Sequence, residues 1–393
     1  MSNNGPLGAA DELLCHQFPD TFATVSQSDL SWTEKVCAMA AARDGSMQIG
    51  FGLGKYVNRN VMDAYAGVAY GHSNRVVRAS RALAPEFDSS TVGPISYEVV
   101  SPMQSVRFRL EANEVQPIAY DVTFEAVVPA QLEGRDQSRS PSGARVAADL
   151  TRYHQSGVAH GWVEIEGVRT EITTEDWICT RDHSWGVRYH VGEYPRDLEP
   201  AYELDQIEGL RWRFGWSPAV MTTGAGEPYA LHHFFQELDA FGFEQRKLSG
   251  GVEWPDGRVE RFVALRPELR YETDETQCTR RLLGGVLHFT MENGDARPIE
   301  IEPVGDAALH LGLGKYFGLD GRWHGQWRGQ LDVDGEFVPD TRPIDTLRRI
   351  HQIRDGLMAY HDPAVGGTGV GNYQSTIAGA WPDLGLTQST SFM

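Results

Sequence analysis

Apolar and polar residues alternate with a period of two along much of this chain. In SVRFRLEA, Val106, Phe108 and Leu110 alternate with Arg107, Arg109 and Glu111. In IAYDVTFEAV, Ile118, Tyr120, Val122 and Phe124 fall on one face, with Asp121, Thr123 and Glu125 on the other. In LRWRFGW, Leu210, Trp212, Phe214 and Trp216 oppose Arg211 and Arg213. Each is the pattern of a half-buried strand, because successive side chains leave a pleated backbone on opposite sides. Turn chemistry separates the strands: Pro255 to Gly257, Asn293 to Asp295, and the pairs Asp320-Gly321 and Asp334-Gly335. WVEIEGVRTEI predicts two strands about a turn near Gly167.

The succession predicts an all-β fold of antiparallel strands in a barrel or sandwich, with few helices. One helix is expected in TLRRIHQIRDGLMAY, from Thr346. Glu133 to Arg145 is polar and rich in Ser, Pro and Gly, and is expected as an exposed loop. Gly192 to Gln206 carries two prolines and several acids near the middle of the chain. It is the preferred domain boundary, giving units 1–196 and 197–393. GLGKY occurs twice, at Gly52 to Tyr56 and at Gly312 to Tyr316, which suggests a duplication without establishing one.

Composition narrows the partners. Asp and Glu outnumber Lys and Arg by 54 to 35 in 393 residues, a formal net charge of −19. Such a chain repels nucleic acid phosphates and anionic lipid, and no basic cluster offsets this. No apolar run is long enough to span a membrane, and no basic-then-apolar leader opens the chain. Cys15, Cys37, Cys179 and Cys278 are scattered, which predicts reduced thiols, a cytoplasmic location and no zinc site. His232 and His233 in YALHHFFQEL alternate faces, so one is expected in the core and one exposed. Trp323 and Trp327 are expected on one face of a strand as a packing device. The expected partner is a small hydrophobic substrate or ligand, with a homodimer as the open alternative to a monomer.

The densest chemistry is RDHSWGVR, Arg181 to Arg188. On a strand, Trp177, Cys179, Arg181, His183 and Trp185 share one face, and Asp182 and Ser184, with Arg188, the other. His183 is then expected to face a cavity as general acid or base, since an imidazole titrates near neutral pH. The competing interpretation is a satisfied core histidine in a structural network. A hairpin neighbour, RYHQSGVAHG, is expected to bring Tyr153 and His154 towards His183. No dinucleotide fingerprint and no serine nucleophile elbow are present, so no cofactor is expected.

Tyr153 to Gly157 (YHQSG), GWVEIEG from Gly161 to Gly167, and RDHSWGVR together resemble the signature of bacterial lipocalin-like proteins related to carotenoid 1,2-hydratases and AttH-type proteins. GRWHGQWRG and GGTGVGNYQSTIAG are similar to the C-terminal half of such chains. The resemblance implies two tandem lipocalin-like (calycin) β-domains and an apolar pocket. It implies cofactor-independent hydratase, dehydratase or isomerase chemistry on a terpenoid or aromatic compound. By motif position, His183 and Asp182 would be the acid/base pair and Arg188 a charge-balancing residue. Tyr153 and His154 are weaker catalytic candidates. Trp185, Trp177 and Trp216 are the expected substrate-binding aromatics. A non-catalytic carrier of an apolar ligand is the alternative.

Overall fold

A computed structural model describes residues 5–16, 19–21, 24–25, 27–139, 144–195, 197–198, 209–240, 242–273, 280–350 and 353–387. The described residues are almost entirely antiparallel strand and form two large units, a 13-stranded sheet and a closed eight-stranded barrel. The middle of the sheet runs Met47–Tyr56, Trp32–Ala42, Trp177–Val187, Val146–Ile165 and Ile118–Ala126. Its ends curl towards each other, so that Ile95–Ser101 packs near Val61–Tyr70. The barrel is built from Arg211–Thr222, Pro228–Ala240, Phe243–Glu253, Val259–Tyr271, Leu282–Met291, Ala296–His310, Arg354–Asp362 and Gly367–Gly379. Among the described residues no helix is long and apolar enough to cross a membrane.

The all-β expectation is met, and the alternating segments are the strands they predict. The turns at Gly167, Gly257 and Gly294 have positive φ, as tight hairpins require. Asp334-Gly335 is different. It lies inside Leu331–Val338, an edge strand of the sheet paired with Ser73–Ala82. There Asp334 collects Arg78, Lys315, Arg322 and Arg328, so its carboxylate serves an ion-pair knot rather than a turn. That strand, from the later part of the chain, joins the sheet built from the earlier part, and the stretch around residue 200 lies largely outside the described residues.

Two further expectations are corrected. The helix is one short piece, Ile344–Ile350, and the sequence from Arg354 is a strand of the barrel wall. Glu133 to Arg139 is not loop: Gln131–Arg139 pairs with Val146–Ile165, its polar side chains being largely exposed as an outlying hairpin arm allows. The two GLGKY copies differ in conformation, the first lying in a strand and the second in a 3-10 turn that ends with Lys315 at φ +68°.

The sheet's core centres on Phe51, Phe108, Tyr120 and Phe124, and the barrel's on Phe262, Leu287, Phe289 and Ile299. A third apolar cluster joins the units, with Met39 from the sheet against Phe214, Trp216 and Leu309 from the barrel. Strand Trp32–Ala42 is therefore buried on both faces. Val36, Ala38 and Ala40 point into the sheet's own core, and Met39 points at the barrel. Polar contacts across the same junction include Gln48 Nε2 to Asp355 Oδ1 at 2.6 Å and Thr180 Oγ1 to Asn372 Oδ1 at 3.3 Å.

Candidate functional site

Strand Trp177–Val187 divides the RDHSWG chemistry between two environments. Its inner face carries Trp177, Cys179, Arg181, His183 and Trp185, as period two dictates. Trp177 and Cys179 join the sheet core. Beyond them the inner face turns polar and is closed by the N-terminal segment around Ala9–Glu12. Arg181 makes two bonds to the Glu12 carboxylate, at 2.5 and 2.8 Å, and two more to Gln155 Oε1. Tyr153 donates its hydroxyl to Glu12 Oε1 at 2.9 Å and lies 3.2 Å from His183 Nδ1. His183 Nε2 is 3.0 Å from Glu34 Oε1, which His16 Nδ1 also approaches at 2.7 Å. The His16 ring stacks on Trp185 at 3.6 Å.

This is a buried, paired network. Glu12, Glu34, Tyr153 and His183 have 0% exposure and Arg181 has 2%. Burial pushes the Glu12 carboxyl up, but the Arg181 charge and hydrogen bonds outweigh it and hold the group below its ordinary value. Burial likewise opposes ionisation of Glu34, and the hydrogen bonds and charges of His16 and His183 overcome it. The expected orientation of His183 into a cavity is thus corrected: Glu12 and His16 cover that face and both ring nitrogens have protein partners.

The outer face looks onto a cleft of about 2400 Å³ between sheet and barrel. Its floor comes from three adjacent strands in register. Cys37 pairs with Asp182, Lys35 with Ser184, and Arg152 with Ser184 from the other side. Its wall is aromatic, with Trp212, Phe214, Trp216 and Phe234 from the barrel and Tyr316, Phe317 and Trp323 from the segment that leaves it. Trp216 also donates its indole N–H to Glu133 Oε1 at 3.0 Å. Trp323 and Trp327 do not share a strand face, because residues 320–329 form turns, isolated bridges and irregular backbone, and Trp327 is half exposed.

The floor is electrostatically unusual. Burial raises the Asp182 carboxyl above its ordinary value. Arg152, 3.4 Å away, opposes this and the negative Glu133 reinforces it. Burial lowers the Lys35 ammonium, whose Nζ is 3.4 Å from His324 Nε2. His324 is pushed down to about 4, by burial and then by the Lys35 charge. Burial pushes the Cys37 thiol up, and its Sγ lies 3.7 Å from the Tyr316 hydroxyl. Arg188 reaches Ser184 Oγ at 2.6 Å.

Of the residues singled out by sequence, the cleft contains Asp182, Arg188 and Trp216. Tyr153 does meet His183, but inside the covered network. His154 does not approach His183. It lies on the outer face at the seam, where its nitrogens meet Glu133 Oε1 at 3.0 Å and Glu253 Oε1 at 2.7 Å and its ring stacks on His232 at 3.5 Å. His232 and His233 do alternate faces, yet both are buried, because the barrel wall is covered there on both sides. Trp177 and Trp185 lie on the inner face and do not line the cleft.

Among the described residues, two groups have donor atoms close enough to share a metal ion: His16, Glu34 and His183, and Glu133, His154 and His232. In the second, the stacked imidazoles make convergence of both rings on one ion awkward. Sequence reasoning missed Lys35, Cys37, Arg152, Tyr316 and His324. The available signal was TEKVCAMA, where Lys35 and Cys37 alternate with an apolar face that is itself interrupted by Glu34.

A large curled β-sheet set against a closed β-barrel, with an aromatic-walled, polar-floored cleft between them, defines the architecture. Within it, the chain belongs to the family described as "Family of unknown function (DUF8625)", whose model matches residues 7–380. No curated protein matches it in sequence. Among solved structures it is similar to an AttH protein from Nitrosomonas europaea, at 11% identity over 88% of this chain and 91% of that one, with a TM-score of 0.49. Kievitone hydratase from Nectria haematococca is similar at 11% identity, covering 95% and 96%, with a TM-score of 0.42. CghA with Sch210972 is similar at 12% identity, covering 93% and 96%, with a TM-score of 0.48. These likenesses concern the course of the chain and not its chemistry.

Proposed function

We propose that this protein is a proton-transfer enzyme, a hydratase/dehydratase-type lyase or an isomerase. Its substrate would be a small hydrophobic terpenoid or aromatic compound held in the cleft, and no organic cofactor would be needed. One observation carries the reading: Asp182, whose carboxyl burial pushes above its ordinary value, lies on the floor of a cleft whose opposite wall is aromatic.

A buried carboxyl with a raised pKa can act as a general acid near neutral pH. Asp182 would give its proton to an sp² carbon, leaving a cation against the rings of Trp212 and Phe214, whose π-faces stabilise positive charge. The carboxylate would then take a proton back. Taken from the adjacent carbon, this completes an isomerisation. Taken from a water that has added to the cation, it completes a hydration. Either route restores Asp182. His183, behind the same strand, would stabilise the fold through its buried network and take no part in the chemistry.

The test is incubation in D₂O with a panel of terpenoid and phenolic compounds, read by mass spectrometry, for wild type and Asp182→Asn. Carbon-bound deuterium or a gain or loss of water with wild type alone is the expected result. Equal conversion by both proteins removes Asp182 from the chemistry. A carrier role is the second reading, favoured by a cleft volume well above the roughly 300–1,000 Å³ of ordinary ligand pockets. It predicts retention of ligand with no conversion by either protein.

A further inference from the structure

Among the described residues the cleft floor carries Lys35, Arg152 and Arg188, and of these Arg152 alone is in an ion pair. Arg152 lies 3.4 Å from Asp182 and 3.7 Å from Glu133. Lys35 and Arg188 form no ion pair among the described residues. Lys35 has His324 at 3.4 Å and the Tyr316 ring at 4.1 Å. Arg188 has the Ser184 hydroxyl, and its Nε is buried without a hydrogen-bond partner.

A guanidinium beside an ammonium, neither in a direct ion pair, is costly, and the charges of Asp182 and Asp63 nearby offset only part of it. Each group loses hydration, and the two repel each other. A neutral side chain at position 35 would meet the Tyr316 ring without the cost of a desolvated charge. Cations are retained without partners where a ligand supplies the counter-charge, and Arg is suited to a two-oxygen acceptor.

Building on the cleft reading above, we propose that Lys35 and Arg188 form an anion subsite. It would hold an ionised oxygen group, a carboxylate in the first instance, at the polar end of an otherwise apolar ligand. The apolar remainder lies along the aromatic wall. The subsite shares the floor with Asp182, since Cys37 and Asp182 pair across the ladder beside Lys35 and Ser184. It would therefore fix which carbon of the ligand meets the Asp182 proton.

The test uses two probes of one skeleton, farnesoic acid and farnesol, titrated into the full chain and followed by quenching of tryptophan fluorescence. Trp212, Trp216 and Trp323 line the cleft and report occupancy. Wild type is expected to bind the acid at least about tenfold more tightly than the alcohol, the scale of one charge-assisted contact. Arg188→Gln and Lys35→Met should each reduce that preference and leave farnesol binding unchanged. Arg135→Gln should keep it, because Arg135 lies at the cleft mouth and is already paired with Asp149. Without probe, Arg188→Gln should unfold at no lower temperature than wild type, since it removes an unpaired charge.

Equal affinity of wild type for acid and alcohol overturns the subsite and leaves the apolar cleft standing. A preference that survives Arg188→Gln, or that Arg135→Gln abolishes, overturns it too. Failure of wild type to bind either probe overturns the cleft reading itself.

Discussion

Asp182 and His183 are consecutive residues whose side chains leave the sheet on opposite faces, one onto the cleft and the other into a sealed network with Glu34 and Tyr153. The pleat enforces this separation. A side chain can be part of the site or part of its support, and adjacent strand residues divide the two roles.

The support should be costly to break. Arg181 and Glu12 are a fully buried ion pair, and removing one partner strands the other charge. Arg181→Met is expected to destabilise the protein by about 3–5 kcal/mol. The double variant with Glu12→Gln should cost less than the sum of the two single variants. Denaturant unfolding of the four proteins checks this, and strict additivity would contradict it.

His154 links the sheet to the barrel through Glu253, and pH should reveal the link. Burial disfavours its charged form, but the Glu253 charge and the hydrogen bonds to both acids push it up to about 10. A raised folded pKa means its contribution is fully present below the unfolded value of about 6.5 and is lost as pH rises through about 10. His16, also raised, acts in the same direction. Urea midpoints should therefore fall between pH 6.5 and 10, and fall less steeply in Glu253→Gln. Equal slopes in the two proteins would contradict the linkage.

Gly52 borders the cleft, and a Cβ there would meet Cys37 Sγ and Lys35 Cε at 3.6 Å, an ordinary contact. Gly52→Ala should therefore fold and bind apolar ligand about as well as wild type. Gly52→Phe should remain folded and lose ligand, because its ring occupies the floor. Fluorescence titration with farnesol reads both, and undiminished binding by Gly52→Phe would place the ligand elsewhere.

The rate should carry the signature of an acid. Turnover is expected to decline as pH rises through the raised pKa of Asp182, because only the protonated carboxyl donates. Arg152 is the strongest charge opposing that rise. Its replacement by Gln should move the decline to higher pH. A shift to lower pH, or none, would show that another group sets the limb.

Much of this was legible in the chain. Alternation in SVRFRLEA and IAYDVTFEAV fixes strands because each has one apolar core to face. The faces of RDHSWGVR follow from the same period. What alternation leaves open is which face is covered, and here it was covered by Glu12 and His16, more than 160 residues upstream of His183 in sequence. His232 and His233 show the same limit: a strand buried on both sides looks locally like one with a solvent face. Asp334-Gly335 misled because its turn-like chemistry is used instead to gather four cations on an edge strand. Lys35 and Cys37 gave little signal, since their neighbours in the cleft come from Asp182 and Tyr316, far along the chain.

The central claim is that chemistry lies on the Asp182 face of the strand and not on the His183 face. The most direct measurement compares conversion by Asp182→Asn and His183→Gln, each normalised to its folded fraction. Asp182→Asn should stay folded and lose at least about a hundredfold in turnover, the usual lower worth of a general acid. His183→Gln should be less stable, with its folded fraction turning over near the wild-type rate. An inactive but stable His183→Gln beside an active Asp182→Asn would contradict the account.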